Sequence, residues 1–576
     1  MAHGDVGLEL GARVAGALRR GLGVEITPVE AVVRPSTREG ADYQCNAAMS
    51  LAKRIGKAPR EVAQAIVDHL DAADMVEPPE VAGPGFVNLR LRDEWLRARA
   101  AGLLGDPRLG VPAAEEPRRY ALDYSSPNVA KEMHIGHLRS SIIGDAVLRL
   151  LRFAGHEVTP HNHLGDWGTP FGMLIEHLVD EGHSADTGIS DLNRFYQEAR
   201  AKFDADPAFA ERSRARVVAL QGGDEATLTL WRELVGESTR YFQKVYELLG
   251  ILLTPGDIYG ESFYNPYLDA VIEDLDAKGL TTISDGAVCV FPPGFANREG
   301  DPLPLIVRKS DGGYGYASTD LATARYWAAE RGMSDLLYVV GMPQAQHFQM
   351  VFAASRQAGY LTDAHTAVHI GFGTILGEDG KTIRTRAGGS VKLVELLEEA
   401  VQQAAKTVAE RSSLDSDRQV EVARAVGIGA VKYADLSNDR EKDYVFTWSR
   451  MLAKEGNTSV YLQYANARAH SVLRKAGQEP AGEVLITEPA ERALVLKLLQ
   501  LPAALAATVE AYAPHKLCAY LYEAATAFTA FYDTCPVLRS DVPAETRASR
   551  LVLTKVTSDV LTLGLDLLGI AAPHEL

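Results

Sequence analysis

The chain has 576 residues, which is too long for one hydrophobic core, so we expect about two to four domains. Lys and Arg number 59 against 76 Asp and Glu, and this net charge of −17 argues against a protein that coats nucleic acid through a basic surface. The four cysteines have no CxxC spacing, which argues against a zinc site or a disulfide scaffold and favours a reducing cytoplasm. We identify no secretory signal and no apolar run long enough to span a bilayer.

The first segments in chain order alternate between helical and strand-like patterns, and residues 104–119 have the Pro, Gly and charge content of a linker. Alternating apolar residues then predict a strand over 120–126, and residues 157–166 predict a second one. Between them, one helix face is predicted by the apolar residues Leu138, Ile142, Ala146, Leu150 and Phe153. A strand–helix–strand unit of this kind builds parallel nucleotide-binding sheets.

The remainder of the chain has a long polar helical pattern over about 190–250, followed by several strand-like runs. From about 395 onward the pattern is almost wholly helical. We find no short-period repeat and no low-complexity tract.

A histidine–glycine–histidine cluster lies where the predicted strand turns into the predicted helix: His134, Gly136 and His137, with Lys131 three residues before. A helix N-terminus attracts phosphate, and a glycine lets a nucleotide approach the backbone. Two imidazoles and an ammonium can stabilise the charge that develops when an α-phosphorus is attacked. The cluster therefore predicts nucleotidyl transfer, in which ATP and a carboxylate give an acyl-adenylate. The alternative is a pair of solvent-facing histidines at a helix start.

The segment SSPNVAKEMHIGHLRSSIIGD (125–145) resembles the signature of class I aminoacyl-tRNA synthetases, most closely that of the arginyl family. Further segments resemble blocks of that family in the same order: 161–175, 314–322, 341–350, 380–393, 431–448 and 455–468. The resemblance covers nearly the whole chain. It implies an ATP-dependent arginine–tRNA ligase that uses ATP with Mg²⁺, L-arginine and the tRNA for arginine, without zinc. It also implies a cytoplasmic monomer.

The same resemblance implies an α/β fold: a Rossmann-type parallel-sheet catalytic domain, an N-terminal α/β added domain and a C-terminal α-helical bundle. The expected divisions are 1–110 for a tRNA-contacting N-terminal domain, 118–395 for the catalytic domain with a helical insertion at about 185–275, 396–450 for a helical connecting region, and 451–576 for the anticodon-binding domain.

An arginine pocket should contain acids, because the planar guanidinium prefers bidentate carboxylate partners. The resemblance implies that Asp123 and Asp320 bind the guanidinium and that Asn128 and Gln344 hold the α-amino and carboxylate end, with Tyr316 packing along the ligand. Many relatives carry Glu at the first of these positions. The alternatives are that Asp123 is a surface acid at a strand edge and that Asp320 is a helix N-cap.

The second phosphate-binding loop departs from the pattern of most class I synthetases. ATP contacts are implied for His134, Gly136, His137, Gly373, Lys381, Arg384 and Arg386. The usual second lysine of this loop is replaced by Thr385, and Lys131 stands where a compensating lysine is found in the arginyl family. We therefore expect Lys131, His134 and His137 to be catalytic. The alternative for the loop is a solvated basic hairpin.

RNA contacts are expected in both terminal regions, because single-stranded loops are bound by stacking and hydrogen bonding. The resemblance implies tRNA-binding roles for Tyr43, Gln44, Asn46, Tyr461, Gln463, Tyr464 and Arg468. The alternative for the tyrosines is helix packing. Two rival functions remain at this point: another class I synthetase, of the cysteinyl or glutaminyl type, and an RNA-binding paralogue without catalysis.

Overall fold

A computed structural model describes residues 4–182, 192–383, 391–409 and 415–576. Its N-terminal part contains α1 (Val6–Leu22), β1 (Val33–Pro35), β2 (Tyr43–Cys45), α2 (Ala47–Ile55), α3 (Pro59–His69), β3 (Glu80–Ala82), β4 (Phe86–Leu89) and α4 (Asp93–Ala101). The four strands form an antiparallel sheet in the order β1-β2-β4-β3. The Asp5 side chain caps the start of α1, and Gly23 ends that helix in the left-handed region.

The central part begins with β5 (Arg119–Asp123), α5 (Ile135–Phe153), β6 (Glu157–His161) and α6 (Pro170–Asp180). A helical insertion follows, with α7 (Leu192–Ala205), α8 (Pro207–Gln221), α9 (Glu225–Leu249) and α10 (Glu261–Ala277). The part ends with β7 (Thr281–Ser284), β8 (Ala287–Val290), β9 (Leu305–Arg308), α11 (Tyr316–Ala324), β10 (Asp335–Tyr338), α12 (Ala345–Gln357), β11 (Thr366–His369) and β12 (Ile375–Leu376).

The central sheet is parallel and has the strand order β11-β10-β5-β6. Asp123, the last residue of β5, is in register with Tyr338 on one side and His161 on the other. The carboxyl ends of these strands therefore meet at one edge, where open α/β sheets bind their ligands. Strands β7, β8 and β9 form a separate antiparallel sheet.

The C-terminal part, in its described residues 391–409 and 415–576, is helical apart from one short strand. It contains α13 (Leu393–Ala409), α14 (Ser416–Leu436), β13 (Tyr444–Val445), α15 (Trp448–Met451), α16 (Ser459–Ala476), α17 (Pro489–Leu498), α18 (Leu501–Ala511), α19 (Pro514–Thr534) and α20 (Ala544–Leu567). The predicted fold class is confirmed: a parallel α/β sheet, an N-terminal α/β part and a C-terminal helical bundle.

Helix α5 is tied to the C-terminal part by buried charges. Arg139 of α5 pairs with Asp435 of α14, with 3.1 Å between Nε and Oδ2, and both side chains are almost fully buried. Lys432 of α14 is also buried, and its ammonium donates to the carbonyls of Leu249 at 2.8 Å and Gly569 at 2.5 Å. The ion pair fixes α5, the helix that follows the histidine cluster, against α14, and the lysine fixes α14 against the ends of α9 and α20.

One stretch corrects the sequence analysis. Among the described residues, Pro489–Ala511 has the length and apolar composition of a membrane span, so the prediction that no apolar run is long enough is wrong there. In the structure the stretch comprises α17 and α18, and both pack against α19 in the C-terminal bundle. Its apolar composition is therefore explained by packing between helices.

Candidate active site

The two histidines cap the start of α5. The Nδ1 of His134 accepts a hydrogen bond from the Gly136 amide at 3.0 Å, and the Nδ1 of His137 accepts one from the His134 amide at 3.1 Å. Burial lowers the pKa of both imidazoles, and that of His137 falls to about 4. Both rings are therefore neutral at physiological pH, and because each Nδ1 accepts, each proton is on Nε2. The pair can donate two hydrogen bonds to a phosphate.

Gly136 has a steric role in this arrangement. A Cβ at this position would lie 2.7 Å from Cε1 of His134, so a larger residue would displace the ring that caps the helix. The side chain of Lys131 is exposed, and its Nζ lies 4.6 Å from the centre of the Tyr196 ring. The charge of Lys131 also contributes to the lowered pKa of both histidines, so the ammonium lies close to the capped helix start.

The segment between β5 and α5 has an unusual backbone. Ser125, Ser126 and Ala130 have φ angles of 73°, 50° and 60°, in the left-handed region that non-glycine residues seldom occupy. Side-chain hydroxyls hold this conformation: Ser140 accepts from the Ser125 amide at 2.9 Å, and Ser238 accepts from the Ala130 amide at 2.9 Å. Backbone strain that is held in this way is typical of functional sites.

Asp123 lies at the carboxyl end of β5 and is buried. Its Oδ1 accepts a hydrogen bond from Ser126 Oγ at 2.7 Å, and its Oδ2 is 3.7 Å from Nδ1 of His161. Burial raises the pKa of this carboxyl to about 6. The alternative of a surface acid at a strand edge is wrong, because β5 is a central strand and the side chain is enclosed.

Asp320 lies inside helix α11 and does not cap it. Helix α11 begins at Tyr316 with Gly315 as its N-cap, so Asp320 is the fifth helical residue and the N-cap alternative is wrong. Its Oδ2 lies 2.5 Å from Nε2 of His347, and this hydrogen bond raises the pKa of the imidazole. The negative charge of Asp320 also contributes to the raised pKa of Asp123, so the two acids lie close together.

A third carboxyl, Glu261, belongs to the same group and was missed by the sequence analysis. It is the first residue of α10, and its amide donates to the Leu164 carbonyl at 3.0 Å. Burial raises its pKa to about 7, with further contributions from Asp166 and Asp320. No local spacing links Glu261 to the other acids, because α10 reaches the pocket only through the tertiary fold.

Two histidines beside Asp123 were also missed. One ligand atom each from Asp123, His161 and His163 lies within 4.8 Å of the others. Burial lowers the pKa of both imidazoles, that of His161 to about 3, so both are neutral. Cysteine spacing, on which the expectation of no zinc was based, carries no information about histidine and carboxylate ligands. Imidazole nitrogen suits transition metals, whereas Mg²⁺ prefers oxygen, so this group does not offer a magnesium site.

The three residues expected to contact the aliphatic part and the amino and carboxylate groups of arginine are all exposed. Tyr316 is 77% exposed at the start of α11, and Gln344 immediately precedes α12. Asn128 is exposed on a backbone segment that pairs with the strand-like segment at Gly165. Their polar groups are therefore accessible to a bound ligand.

Only part of the expected second phosphate-binding loop lies among the described residues. The Gly373 amide donates to the Arg440 carbonyl at 2.9 Å, and a Cβ there would lie 2.7 Å from the Lys442 carbonyl carbon, so close packing requires glycine. Lys381 is exposed in a tight turn in which the Gly377 amide donates to its carbonyl at 2.7 Å. Three residues of the expected loop lie outside the described residues: Arg384, Thr385 and Arg386.

Helix α16 divides its predicted RNA-binding residues between core and surface. Gln463 is 0% exposed, and its amide donates to the carbonyl of Ala571 at 2.8 Å, so its assignment to RNA contact is wrong. Tyr461 is half-buried, and its hydroxyl lies 3.1 Å from Oγ1 of Thr529. Tyr464 is 37% exposed.

The same face of α16 carries cations over aromatic rings. The Lys454 Nζ lies 5.3 Å from the Tyr464 ring centre. Arg468 is half-buried, and its guanidinium carbon lies 4.9 Å from the ring centre of the exposed Tyr532. A surface of this kind can stack on unpaired bases.

The residues predicted to bind RNA in the N-terminal part are likewise divided between core and surface. Tyr43 is only 4% exposed, so its assignment to RNA contact is wrong. Gln44 and Asn46 are half-buried. The Gln44 amide donates to Oδ1 of Asn88 on the neighbouring strand at 3.0 Å. The Oδ1 of Asn46 has no hydrogen-bond partner within the part of the chain that the structure describes.

The fold and the site together define a class of enzyme. A histidine pair caps the helix that follows a central strand of a parallel sheet, and a helical bundle follows in the chain. This is the architecture of a class I aminoacyl-tRNA synthetase.

Comparison with known proteins gives the amino acid. The family model described as "tRNA synthetases class I (R), catalytic domain" matches residues 101–448. Models of the arginyl-tRNA synthetase N-terminal domain and of the DALR anticodon-binding domain match 9–91 and 462–576. The chain is 52% identical over 574 residues to the arginine–tRNA ligase of Thermobifida fusca, covering 98% of this chain and 99% of that protein. It is 51% identical over 566 residues to that of Frankia casuarinae, covering 96% of each.

Solved structures of arginyl-tRNA synthetases also match the chain over its length. The arginyl-tRNA synthetase of Plasmodium falciparum matches with a TM-score of 0.85 and 27% identity over 100% of both chains. That of Thermus thermophilus matches with a TM-score of 0.84 and 28% identity, over 99% of this chain and 100% of that one. The chain belongs to the arginyl-tRNA synthetase family: it is an ATP-dependent enzyme that charges tRNA with arginine. The cysteinyl, glutaminyl and non-catalytic alternatives are therefore set aside.

Proposed function

We propose that Asp123, Asp320 and Glu261 bind the guanidinium of arginine. The observation that carries this proposal is the electrostatic coupling of the three carboxyls: Asp320 contributes to the raised pKa of both Asp123 and Glu261. Like charges in a buried pocket are unfavourable until a cation arrives. A guanidinium supplies one positive charge and five planar donors, which can satisfy several carboxylate oxygens at once.

The rest of the arginine contacts its exposed neighbours in this proposal. Asn128 and Gln344 hold the α-amino and carboxylate groups, and Tyr316 packs along the aliphatic part. These contacts hold the carboxylate of arginine at the edge of the sheet, facing the capped start of α5. The substrate is thus fixed at both ends before it reacts.

ATP occupies the start of α5 and the second loop. His134 and His137 donate through Nε2 to the phosphates, Gly136 allows close approach, and Lys131 stabilises negative charge. Further ATP contacts come from Gly373, Lys381, Arg384 and Arg386. Mg²⁺ accompanies the ATP phosphates, whose oxygens it prefers as ligands.

The reaction then has two steps. A carboxylate oxygen of arginine attacks the α-phosphorus, pyrophosphate leaves, and arginyl-adenylate forms. A ribose hydroxyl of the 3′-terminal adenosine then attacks the activated carbonyl, arginine is transferred, and AMP leaves. The neutral histidines act by donating hydrogen bonds to phosphate oxygens, so they need not change protonation state.

The tRNA contacts are proposed for exposed and half-buried side chains only: Gln44, Asn46, Tyr461, Tyr464 and Arg468. The domain divisions proposed are 1–110, 118–395 with its insertion at about 185–275, 396–450 and 451–576. The enzyme is proposed to act as a cytoplasmic monomer without membrane attachment.

Substrate discrimination tests the proposed pocket. Aminoacylation of total tRNA is measured with each of the twenty amino acids and with citrulline, which has nearly the shape of arginine but no charge. We expect arginine alone among the twenty to be attached, and citrulline to react at least about 10³-fold more slowly, because neutral citrulline cannot compensate three coupled acids. Comparable rates for arginine and citrulline would contradict a pocket that selects charge.

A further inference from the structure

The helical insertion holds the segment that carries Lys131 at three points. On α7, Tyr196 places its ring under the Lys131 ammonium, 4.6 Å from Nζ. On α9, the Ser238 hydroxyl accepts the Ala130 amide at 2.9 Å, and the Tyr241 hydroxyl lies against the backbone of Met133. The residues before and after Lys131, and its side chain, are thus all held by the insertion.

The backbone contact fixes an otherwise unfavourable conformation. Ala130 has a φ of 60°, which an alanine adopts only when its surroundings impose it. Ser238 is fully buried, and its own hydroxyl donates to the Leu234 carbonyl at 2.9 Å, so its oxygen is aimed at the Ala130 amide. The direction in which Lys131 leaves the chain therefore depends on α9.

The side-chain contact limits the freedom of Lys131. An exposed lysine has many rotamers, and fixing it costs entropy. An aromatic ring under the ammonium selects a subset of those rotamers through a cation–π interaction. Because the ammonium still lowers the pKa of both His134 and His137, the selected position is beside the phosphate-binding helix start.

We propose that the helical insertion positions Lys131 for adenylate formation and that Tyr196 is a positioning residue for this step. The proposal rests on the role of Lys131 proposed above. It assigns the insertion a part in the chemical step, in addition to packing beside the sheet. Tyr196 also packs against the hydrophobic core, so its test must separate positioning from folding.

A double-mutant cycle makes this separation. Single-turnover formation of arginyl-adenylate is measured, with tRNA present, in the parent, Tyr196→Leu, Lys131→Ala and the double variant. Tyr196→Phe keeps the ring. Phe203→Leu is the matched control, because Phe203 is also a half-buried aromatic residue of α7 under an arginine, with Arg200 at 5.8 Å.

We expect Tyr196→Leu to slow adenylate formation about tenfold, or about 1.4 kcal/mol, with the arginine KM unchanged, because the cation–π contact that positions the ammonium is lost. Tyr196→Phe should retain the rate, and Phe203→Leu should remain within about twofold of the parent. In the Lys131→Ala background, Tyr196→Leu should change the rate by less than about twofold, since no ammonium remains to be positioned.

The results distinguish the inference from the proposal beneath it. If Lys131→Ala is slow but Tyr196→Leu is within twofold of the parent, the insertion does not position the lysine. If Tyr196→Leu is equally harmful with and without Lys131, its effect is structural and the inference is overturned. If Lys131→Ala itself reacts at the parent rate, the proposed role of Lys131 is wrong, and the inference is lost with it.

Discussion

The proposed active site has an arginine end and a phosphate end, and the two hold their charges differently. At the arginine end, Asp123 is buried, and Asp320 is hydrogen-bonded to His347 at 2.5 Å. At the phosphate end, Lys131 and Lys381 are exposed, and Lys131 contacts a neighbouring ring through its charge. The acids are fixed before arginine binds, whereas the cations are positioned on flexible side chains.

This difference corresponds to the two tasks. Selecting a guanidinium requires an electrostatic environment that is already present in the free enzyme, so the acids should act mainly on the binding of arginine. Stabilising a departing pyrophosphate requires charge in the transition state, so the cations should act mainly on the rate. The predictions below test this division, beginning with the largest expected effect.

Asp320→Asn removes a charge from the fixed end. We expect kcat/KM for arginine to fall by the equivalent of about 2–5 kcal/mol, through KM, because a desolvated cation loses a charged partner. The ATP KM should not change. Steady-state aminoacylation measures both, with Asp363→Asn as an exposed control acid. A variant with normal arginine KM would remove Asp320 from the pocket.

Lys131→Ala removes a charge from the other end. We expect adenylate formation to slow by about 10²–10³, as when a donor to developing charge is lost, with the arginine KM nearly unchanged. Thr385→Lys in that background should restore part of the rate by returning a lysine to the usual loop position. The exposed Lys244 provides the control substitution, Lys244→Ala. A rate within about threefold of the parent would leave Arg384 or Arg386 as the better candidate.

The sequence predicted what depends on local pattern. The strand at 120–126, the helix after His134 and the second strand follow from periodicity, and they are present as β5, α5 and β6. A helix start that carries two imidazoles and a glycine favours phosphate binding whatever the surrounding fold. The sheet, and its edge, could therefore be predicted from one strand–helix–strand unit.

The burial of a side chain and its neighbours from distant parts of the chain could not be predicted from the sequence. Glu261 joins the acids only because the start of α10 is hydrogen-bonded to Leu164, which follows β6. Ser238 reaches Ala130 only across the insertion. On α16, Tyr464 and Gln463 are adjacent in sequence but lie on the surface and in the core respectively. Residue type alone suggested RNA binding for both, and only the packing separates them.

Tyr464→Ala tests whether an exposed residue of α16 contributes to RNA binding as the exposed cations contribute to the chemistry. We expect the tRNA KM to rise by the equivalent of about 1–3 kcal/mol, the usual cost of losing one stacked base. The thermal unfolding temperature should hardly change, because Tyr464 is an exposed residue, at 37%. Leu538→Ala, at 38% exposure in the same part of the chain, is the matched control. Equal tRNA KM values for both variants would exclude stacking on Tyr464.

Acidification should weaken the use of arginine more than that of ATP, and so it distinguishes the two ends without any substitution. The pKa of Asp123 is raised to about 6 and that of Glu261 to about 7, in both cases mainly by burial. Below these values the carboxyls are neutral, and a neutral carboxyl no longer attracts a guanidinium. The hydrogen bond to Asp320 raises the pKa of His347, so acidification favours the imidazolium, which then competes with the guanidinium for that carboxylate.

We therefore expect kcat/KM for arginine to fall about tenfold or more between pH 8 and pH 5.5, because this parameter follows the ionisation of the free enzyme. The ATP KM should change far less over the same range, since burial lowers the pKa of both His134 and His137, that of His137 to about 4, and so favours the neutral rings. Asp123→Asn should remove the lower part of the arginine profile. Parallel losses for arginine and ATP would show that acid disturbs the whole site, and would contradict the division between a fixed acidic end and a neutral imidazole pair.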